Sequence, residues 1–168
     1  MKQLFFFGGI LILATNVAAL DYPLSPQTSA HRIGIGYGDW SDIRFHAGVD
    51  FPASINTPVL NPVNDGASPS RAAGGYVRHY EAPDANNPGY GFLYIAKDGT
   101  TRDVWAIGHI KNVPPRFRVS GKFVPAGSRI GAIDNFDPTG ALNSFDHVHL
   151  ALHDSDNVDS PSSTLDEI

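Results

Sequence analysis

Three histidines and the aspartate Asp50 stand in two short stretches of the chain, residues 45–51 and 146–150. His46 and Asp50 are four residues apart in the first stretch, and His147 and His149 are two residues apart in the second. Imidazole nitrogens and carboxylate oxygens are ligands that divalent transition metals accept. The two stretches therefore predict a metal site built from both halves of the chain.

The spacing of the first stretch predicts a bend. Gly48 within it and Pro52 just beyond it argue against a helix. In a straight strand, four residues span about 13 Å, too far for His46 and Asp50 to reach one ion. We therefore expect the backbone to turn at Gly48, where the absence of a side chain makes a turn inexpensive.

The second stretch predicts a half-buried strand. His147 and His149 would share one face, because side chains alternate along a strand. Val148, Leu150 and Leu152 would alternate onto the opposite, buried face. Two imidazoles side by side on a rigid strand suit one wall of a metal site.

Composition predicts an all-β fold. Seventeen glycines and thirteen prolines, with ten phenylalanines and six tyrosines, are typical of short strands joined by many turns. We find no amphipathic helical pattern of useful length.

The chain has no cysteine, so any metal must be held by nitrogen and oxygen ligands. A formal net charge of −5 gives no basic footprint for nucleic acid.

The N-terminus is typical of an export signal. Lys2 precedes an apolar run at residues 4–13, and small residues at 17–19 fit cleavage after Ala19. The run is shorter than the roughly 20 residues of a spanning helix. We therefore expect an exported protein, periplasmic or extracellular, with no stable membrane insertion after cleavage; the alternative is a retained anchor.

The rest of the chain divides into three parts. Residues 20–30 form an irregular lead-in, too short for a usual inhibitory segment although it could occupy a groove. Residues 31–153 form the domain, and residues 154–168 form a polar tail that we predict to be disordered. Whether a propeptide or a regulatory partner restrains the protein is left open by the sequence.

Strand signals recur through the domain. The clearest is a hairpin in which strands at 90–96 and 102–107 flank an Asp-Gly turn at 98–99. Further strands are predicted at 57–63 and 75–80, and two short ones at 122–131. Residues 134–145 have the composition of an irregular loop. His109 lies where the second hairpin strand ends.

The motifs taken together resemble one family. His46-Ala47-Gly48-Val49-Asp50-Phe51 is similar to the His-x-Gly-x-Asp-Phe motif of the lysostaphin/LytM-type zinc metallopeptidases, and residues 146–150 are similar to their His-x-His strand. Shorter matches between the two motifs fall in the family's order and approximate spacing: residues 57–59, 65–66, 89–91, 98–99, 107–110 and 125–131. The resemblance covers roughly residues 31–153.

The resemblance implies a fold and a set of roles. The fold would be a compact antiparallel β domain of the duplicated hybrid motif type, with a groove across the sheet. His46, Asp50 and His149 match the family's zinc ligands, and His147 and His109 match its two catalytic histidines. Spacing alone does not choose between His147 and His149 as the ligand.

The implied activity is that of a zinc metalloendopeptidase that hydrolyses peptidoglycan peptides with a zinc-activated water. In this scheme His147 is the general base and His109 stabilises the oxyanion, although the sequence would equally allow the two roles to be exchanged. Two alternatives share the fold: a non-catalytic module that binds cell wall or activates a hydrolase, and a protease of ordinary proteins. All five site positions are filled, which favours an enzyme.

Some residues depart from the family pattern or fall outside it. Asp146 stands where the family often has proline, and the glutamate that often follows the His-x-His strand is absent. These departures concern substrate choice more than metal binding. We interpret His31, His79 and His153 as ordinary surface or core histidines.

Overall fold

The computed structural model describes residues 19–26, 32–38, 40–41, 44–64, 72–83, 89–97, 103–136 and 145–153. Within these ranges the chain is built of strands and a single 3₁₀ turn at Pro115–Phe117. The strands are β1 (Ala19–Leu20), β2 (Trp40–Ser41), β3 (Arg44–Phe45), β4 (Val49–Pro52), β5 (Pro58–Leu60), β6 (Val63–Asn64), β7 (Gly74–Glu81), β8 (Phe92–Ala96), β9 (Val104–Gly108), β10 (Ile110–Lys111), β11 (Phe123–Pro125), β12 (Arg129–Ile133) and β13 (His147–His153). The predicted all-β fold is confirmed.

The larger sheet has six strands in the order β11-β7-β8-β9-β13-β4, all antiparallel. Its middle contains the predicted hairpin, since β8 pairs with β9 from Phe92 against Gly108 to Ala96 against Val104. β13, the described strand nearest the C-terminus, lies between β9 and the short strand β4. This order brings the two ends of the domain together.

The core lies between this sheet and a three-stranded sheet of order β10-β12-β5. Apolar side chains alternate inward from both layers, as the period of two requires. Fully buried members of one cluster come from both sheets: Val59, Leu93, Ile95, Ile107, Ile110, Ile130 and Ile133. Of the predicted site residues, Asp50 lies on β4 and His147 and His149 lie on β13, whereas His46 and His109 lie just outside strands.

The strand predicted at 57–63 is divided into β5 and β6 by Asn61. Its side chain is buried, with Nδ2 donating to Val124 O at 2.9 Å and Oδ1 accepting from Val63 N at 3.1 Å. These bonds interrupt the regular strand pairing, because the Asn61 side chain makes hydrogen bonds that the backbone of a neighbouring strand would otherwise make.

Residues N-terminal to the predicted domain also pack on it. β1 pairs with β6, and Leu24 forms a bridge with Val59 and is fully buried in the core. The sequence predicted only an irregular lead-in at 20–30. Its described part, residues 20–26, instead contributes to the core alongside β5 and β6. Of the predicted signal segment 1–19, only Ala19 is described, in β1; residues 1–18 and the tail at 154–168 lie outside the described residues.

Segment 32–38 runs along the outer side of β4, the last strand of the larger sheet. Gly34 N donates to Asp50 O at 2.8 Å, and Asp50 N donates to Ile35 O at 2.9 Å. Gly38 N donates to His46 O at 3.0 Å. The segment therefore covers the backbone edge of the strand that carries a predicted metal ligand.

No helix among the described residues is long and apolar enough to cross a membrane.

Candidate metal centre

Asp50 and His149 are direct neighbours across the ladder between β4 and β13. Both are buried, at 3% and 0% exposure, and Asp50 Oδ1 is 2.9 Å from His149 Nδ1. Cross-strand partners on one face are held about 5 Å apart at Cβ, close enough for both side chains to reach one ion. The sheet therefore brings together two residues separated by 99 positions.

His46 joins this pair from the segment just before β4. The chain bends at Gly48, as predicted, and His46 Nε2 lies 3.2 Å from Asp50 Oδ1. A Cβ at Gly48 would overlap the His149 imidazole and stand 2.8 Å from Leu150 O. Only glycine lets the backbone pass this close, so the bend and the approach of His46 depend on the same residue.

The three side chains form a compact group of possible ligands. One ligand atom from each of His46, Asp50 and His149 lies within 4.8 Å of the other two. This is the one group of at least three possible metal-ligating side chains found among the described residues. Two imidazoles and a carboxylate are a donor set that zinc accepts and that leaves a position open.

Hydrogen bonding around the group also fits a cation. His46 Nδ1 lies 3.1 Å from Gly36 O, and because a carbonyl only accepts, Nδ1 must carry the proton. In the neutral ring Nε2 is then an acceptor, and it faces the carboxylate oxygen of Asp50, which is also an acceptor. A cation between these two atoms relieves their repulsion, and the bond to Gly36 is the kind of support that fixes a metal-binding histidine.

His147 lies beside this group on β13 and is buried. Its Nε2 is 3.6 Å from Asp50 Oδ1, and its Nδ1 donates to Phe145 O at 2.7 Å. Burial, and next the nearby His109, lower the pKa of His147 to about 4, although Asp50 partly opposes the shift. The ring is therefore neutral near pH 7 and offers its Nε2 lone pair.

His109 completes the cluster from the junction of β9 and β10. It is fully buried, its Nδ1 donates to Gly89 O at 2.8 Å, and its ring centroid is 4.5 Å from that of His147. Its φ of 59° lies in the left-handed region, which is costly for a residue with a side chain. Backbone bonds hold this conformation, with Ile110 N donating to Gly91 O and Asp134 N donating to His109 O.

The structure thus brings together all five residues that the motifs singled out, while their individual roles remain predictions. The two other described histidines are not members of this group. His79 on β7 contacts the Tyr94 ring at 5.8 Å, and His153 at the end of β13 contacts the same ring at 6.3 Å. His31 lies outside the described residues.

The sequence did not predict the aromatic rings that surround His109 and His147, the two histidines outside the group of possible ligands. Phe136 is 4.3 Å from His109 and 4.9 Å from His147 between ring centroids, and Phe145 is 5.2 Å from His147. Tyr90 is 5.6 Å from His109. Phe136 and Phe145 fall in a stretch predicted only as an irregular loop, and no periodic pattern there marks them as neighbours of the site.

Comparison with solved structures gives a match of probability 1.00 to a catalytic domain. It is the crystal structure of a point mutant of the catalytic domain of the prophage-encoded M23 protein EnpA from Enterococcus faecalis. The match has a TM-score of 0.53 and 19% sequence identity, and covers 77% of this chain and 86% of that one. No family model matches the chain, and no curated protein matches it by sequence.

The chain has the antiparallel β fold of an M23 peptidase catalytic domain, with a His-Asp-His group that could hold a metal ion. The fold implied by the family resemblance is therefore confirmed. The likeness in fold, together with the residues His46, Asp50 and His149, also supports the resemblance to the lysostaphin/LytM-type peptidases.

Proposed function

We propose that this protein is a zinc-dependent metalloendopeptidase that hydrolyses peptide bonds of peptidoglycan. The observation that carries the proposal is the side-by-side placement of two groups. One is the buried set of possible ligands His46, Asp50 and His149, and the other is the pair of His109 and His147, whose rings are 4.5 Å apart. A metal alone needs only the first group, whereas hydrolysis also needs groups that move protons.

His46, the Asp50 carboxylate and His149 would hold the zinc ion. When bound, zinc supplies a Lewis acid that polarises a carbonyl and makes an activated water available near neutral pH. Binding through His149 Nδ1 requires the tautomer of His149 whose proton is on Nε2, because the nitrogen that faces Asp50 must offer its lone pair to the ion.

His147 is suited to accept a proton. Its own proton is held on Nδ1 by Phe145 O, so the lone pair of Nε2 faces the group of ligands. A neutral imidazole at this place can take a proton from the attacking water and return it to the leaving amine. Phe145 O fixes both the tautomer and the direction of the ring.

His109 is assigned to stabilising negative charge on the substrate oxygen. Its Nδ1 donates to Gly89 O, so this role falls to Nε2. In the neutral form that nitrogen accepts, and it becomes a donor only in the imidazolium. The stabilising role therefore requires the protonated ring of His109 in the step that builds negative charge.

Two further features support a cell-wall substrate. The N-terminal sequence predicts export, and the solved catalytic domain of similar fold belongs to an M23 protein. The non-catalytic module of the same fold is disfavoured by the complete and oriented set of five residues, since a binding module has no need of a proton-accepting His147 beside the ligands.

The proposal is tested by digesting purified peptidoglycan with the zinc-loaded protein lacking residues 1–19, with and without a chelator, and identifying released peptides by mass spectrometry. We expect new peptide ends that chelator abolishes and that H147A reduces at least 100-fold. H79A is the matched control, because His79 also contacts an aromatic ring but lies outside the group of ligands.

No release by the folded, zinc-loaded protein would overturn the enzyme proposal. Retention of the protein on intact peptidoglycan would then favour the binding module. Release of peptides from an unfolded casein substrate as fast as from peptidoglycan would favour the protease of ordinary proteins.

A further inference from the structure

Phe136 contacts both histidines of the proposed reaction, and the proposed mechanism assigns it no role. Its ring lies 4.3 Å from that of His109, 4.9 Å from that of His147 and 5.4 Å from that of Tyr90. We infer that Phe136 is a specificity-determining residue that packs against an aliphatic side chain of the peptide beside the scissile bond. This inference rests on the proposed function and names its substrate class.

The backbone before Phe136 is tied to the site. Asp134 N donates to His109 O at 2.9 Å, and Asp134 Oδ1 accepts from Asn135 N at 2.9 Å. Lys111 Nζ lies 3.2 Å from the same carboxylate oxygen of Asp134. The loop that carries Phe136 is therefore fixed to the residue whose ring it touches.

Phe136 itself has two further restraints. Its N–H donates to Asp146 Oδ1 over a long 3.4 Å, and Asp146 is the residue that stands where the resembled family often has proline. Gly89, whose carbonyl accepts from His109, lies so close to the loop that a Cβ there would overlap Asn135 O and stand 2.7 Å from Phe136 Cα. The ring is therefore presented by a packed backbone rather than by a loosely held loop.

Two phenyl rings lie next to His147. The Phe136 ring lies 4.9 Å and the Phe145 ring 5.2 Å from that of His147 between centroids, and Phe145 is 39% exposed. Phe136 is half-buried, so part of its ring is available to a substrate. Phenyl rings gain little from a glycine but remove the methyl of an alanine from water. Peptides with aliphatic residues at this place should therefore be preferred over polyglycine.

The expected preference for alanine over glycine depends on how deeply Phe136 is buried. One methyl group in an enclosed pocket discriminates by roughly 10- to 200-fold. Because Phe136 is only half-buried, we expect a preference of about tenfold for capped Gly-Gly-Ala-Gly-Gly over capped pentaglycine, which differ by one methyl group, at the low end of that range.

The test uses these two peptides in two measurements. Binding is followed by NMR titration of the protein in chelator, where no turnover occurs, and cleavage is followed with the zinc-loaded protein. F136A and F136N should bring the preference in both measurements to within about twofold of unity, and F136L should keep most of it, because leucine restores apolar contact.

F123A is the matched control. Phe123 on β11 makes a similar ring contact with Tyr76, at 5.3 Å, on the edge of the sheet opposite to β4. It should keep the preference of the unmodified protein. F136N provides the test if F136A does not fold, and thermal denaturation of each variant identifies the folded ones.

The outcomes separate this inference from the function on which it rests. If the zinc-loaded protein cleaves peptidoglycan and the preference is the same in F136A and F136N as in the unmodified protein, the inference is wrong and the proposed function stands. If nothing is cleaved but the binding preference depends on Phe136, the proposed function is wrong and the role of Phe136 in peptide selection stands. An unmodified protein that binds both peptides equally also overturns the inference.

Discussion

Asp50 Oδ1 lies 2.9 Å from His149 Nδ1 and 3.2 Å from His46 Nε2, so one carboxylate oxygen is shared by two imidazoles from opposite ends of the domain. His147 Nε2 stands 3.6 Å from the same atom. Such convergence on a single buried oxygen makes Asp50 the residue on which the group depends.

Replacing Asp50 tests this dependence. D50N keeps the size of the side chain but removes its charge, so we expect zinc affinity to fall by more than about 100-fold. Affinity is measured by competition with a chromophoric chelator. D103N is the control, because Asp103 is exposed and has a positive φ that asparagine also tolerates. Equal zinc affinity in D50N and D103N would contradict the assignment of Asp50 as a ligand.

Gly48 is predicted to be as important as the ligands. In G48A the new methyl group would meet the His149 ring and Leu150 O, so we expect weaker zinc binding and a loss of about 1–3 kcal/mol in the free energy of unfolding. Chemical denaturation in chelator gives the second quantity without the metal.

G121A is the matched variant, because Gly121 has a φ of +79° but nothing within 4 Å of a Cβ. It should lose about 1 kcal/mol from backbone conformation alone and keep its zinc affinity. If G48A and G121A behaved alike, the close approach of Gly48 to His149 would not be the reason for its place in the motif.

His109 offers a test of backbone strain. Replacing alanine by glycine within a strand ordinarily costs about 0.5–1 kcal/mol. At residue 109, where φ is 59°, the order should be reversed, with H109G more stable than H109A by about 1 kcal/mol. Both variants should lose catalysis by roughly 100-fold or more. Denaturation midpoints that rank H109A above H109G would show that the left-handed conformation relaxes once the imidazole is gone.

Stability without metal should fall as the pH is lowered. Burial lowers the pKa of His147 to about 4 and also lowers that of His153 below its ordinary value. The unfolded chain therefore binds more protons than the folded one below about pH 6.5, and the free energy of unfolding declines from there towards pH 4. Each such group contributes a slope of at most about 1.4 kcal/mol per pH unit.

Urea denaturation in chelator between pH 7.5 and 5 measures this slope. H153N should flatten it, because the His153 imidazole no longer has to be protonated on unfolding, whereas H79N serves as the control. A slope that H153N leaves unchanged would mean that other groups cause the acid sensitivity.

The sequence predicted the parts of this site better than their arrangement. The spacing of His147 and His149 placed both on one strand face, and Gly48 marked the bend, because these are local properties of the backbone. The direct pairing of Asp50 with His149 depends on strand order and register, which periodicity does not determine. The three metal ligands were therefore predicted from the family resemblance, and the structure places those three residues together.

Two features could not be found from local pattern. Leu24 lies in a stretch without strand signals, and its burial depends on a bridge to Val59 that only the folded chain provides. Phe136 lies in a loop, and its contact with His109 follows from the backbone bond between Asp134 and that histidine. Long-range contacts of single loop residues leave no periodic trace in a sequence.

Segment 32–38 links the integrity of the site to the solubility of the protein. Its bonds to the backbone of His46 and Asp50 occupy the free edge of β4, and Gly36 O also holds the His46 ring. If the segment detached, an unpaired strand edge would be open to the strand of another molecule. Loss of the His46 orientation and the onset of aggregation should therefore begin with the same local opening.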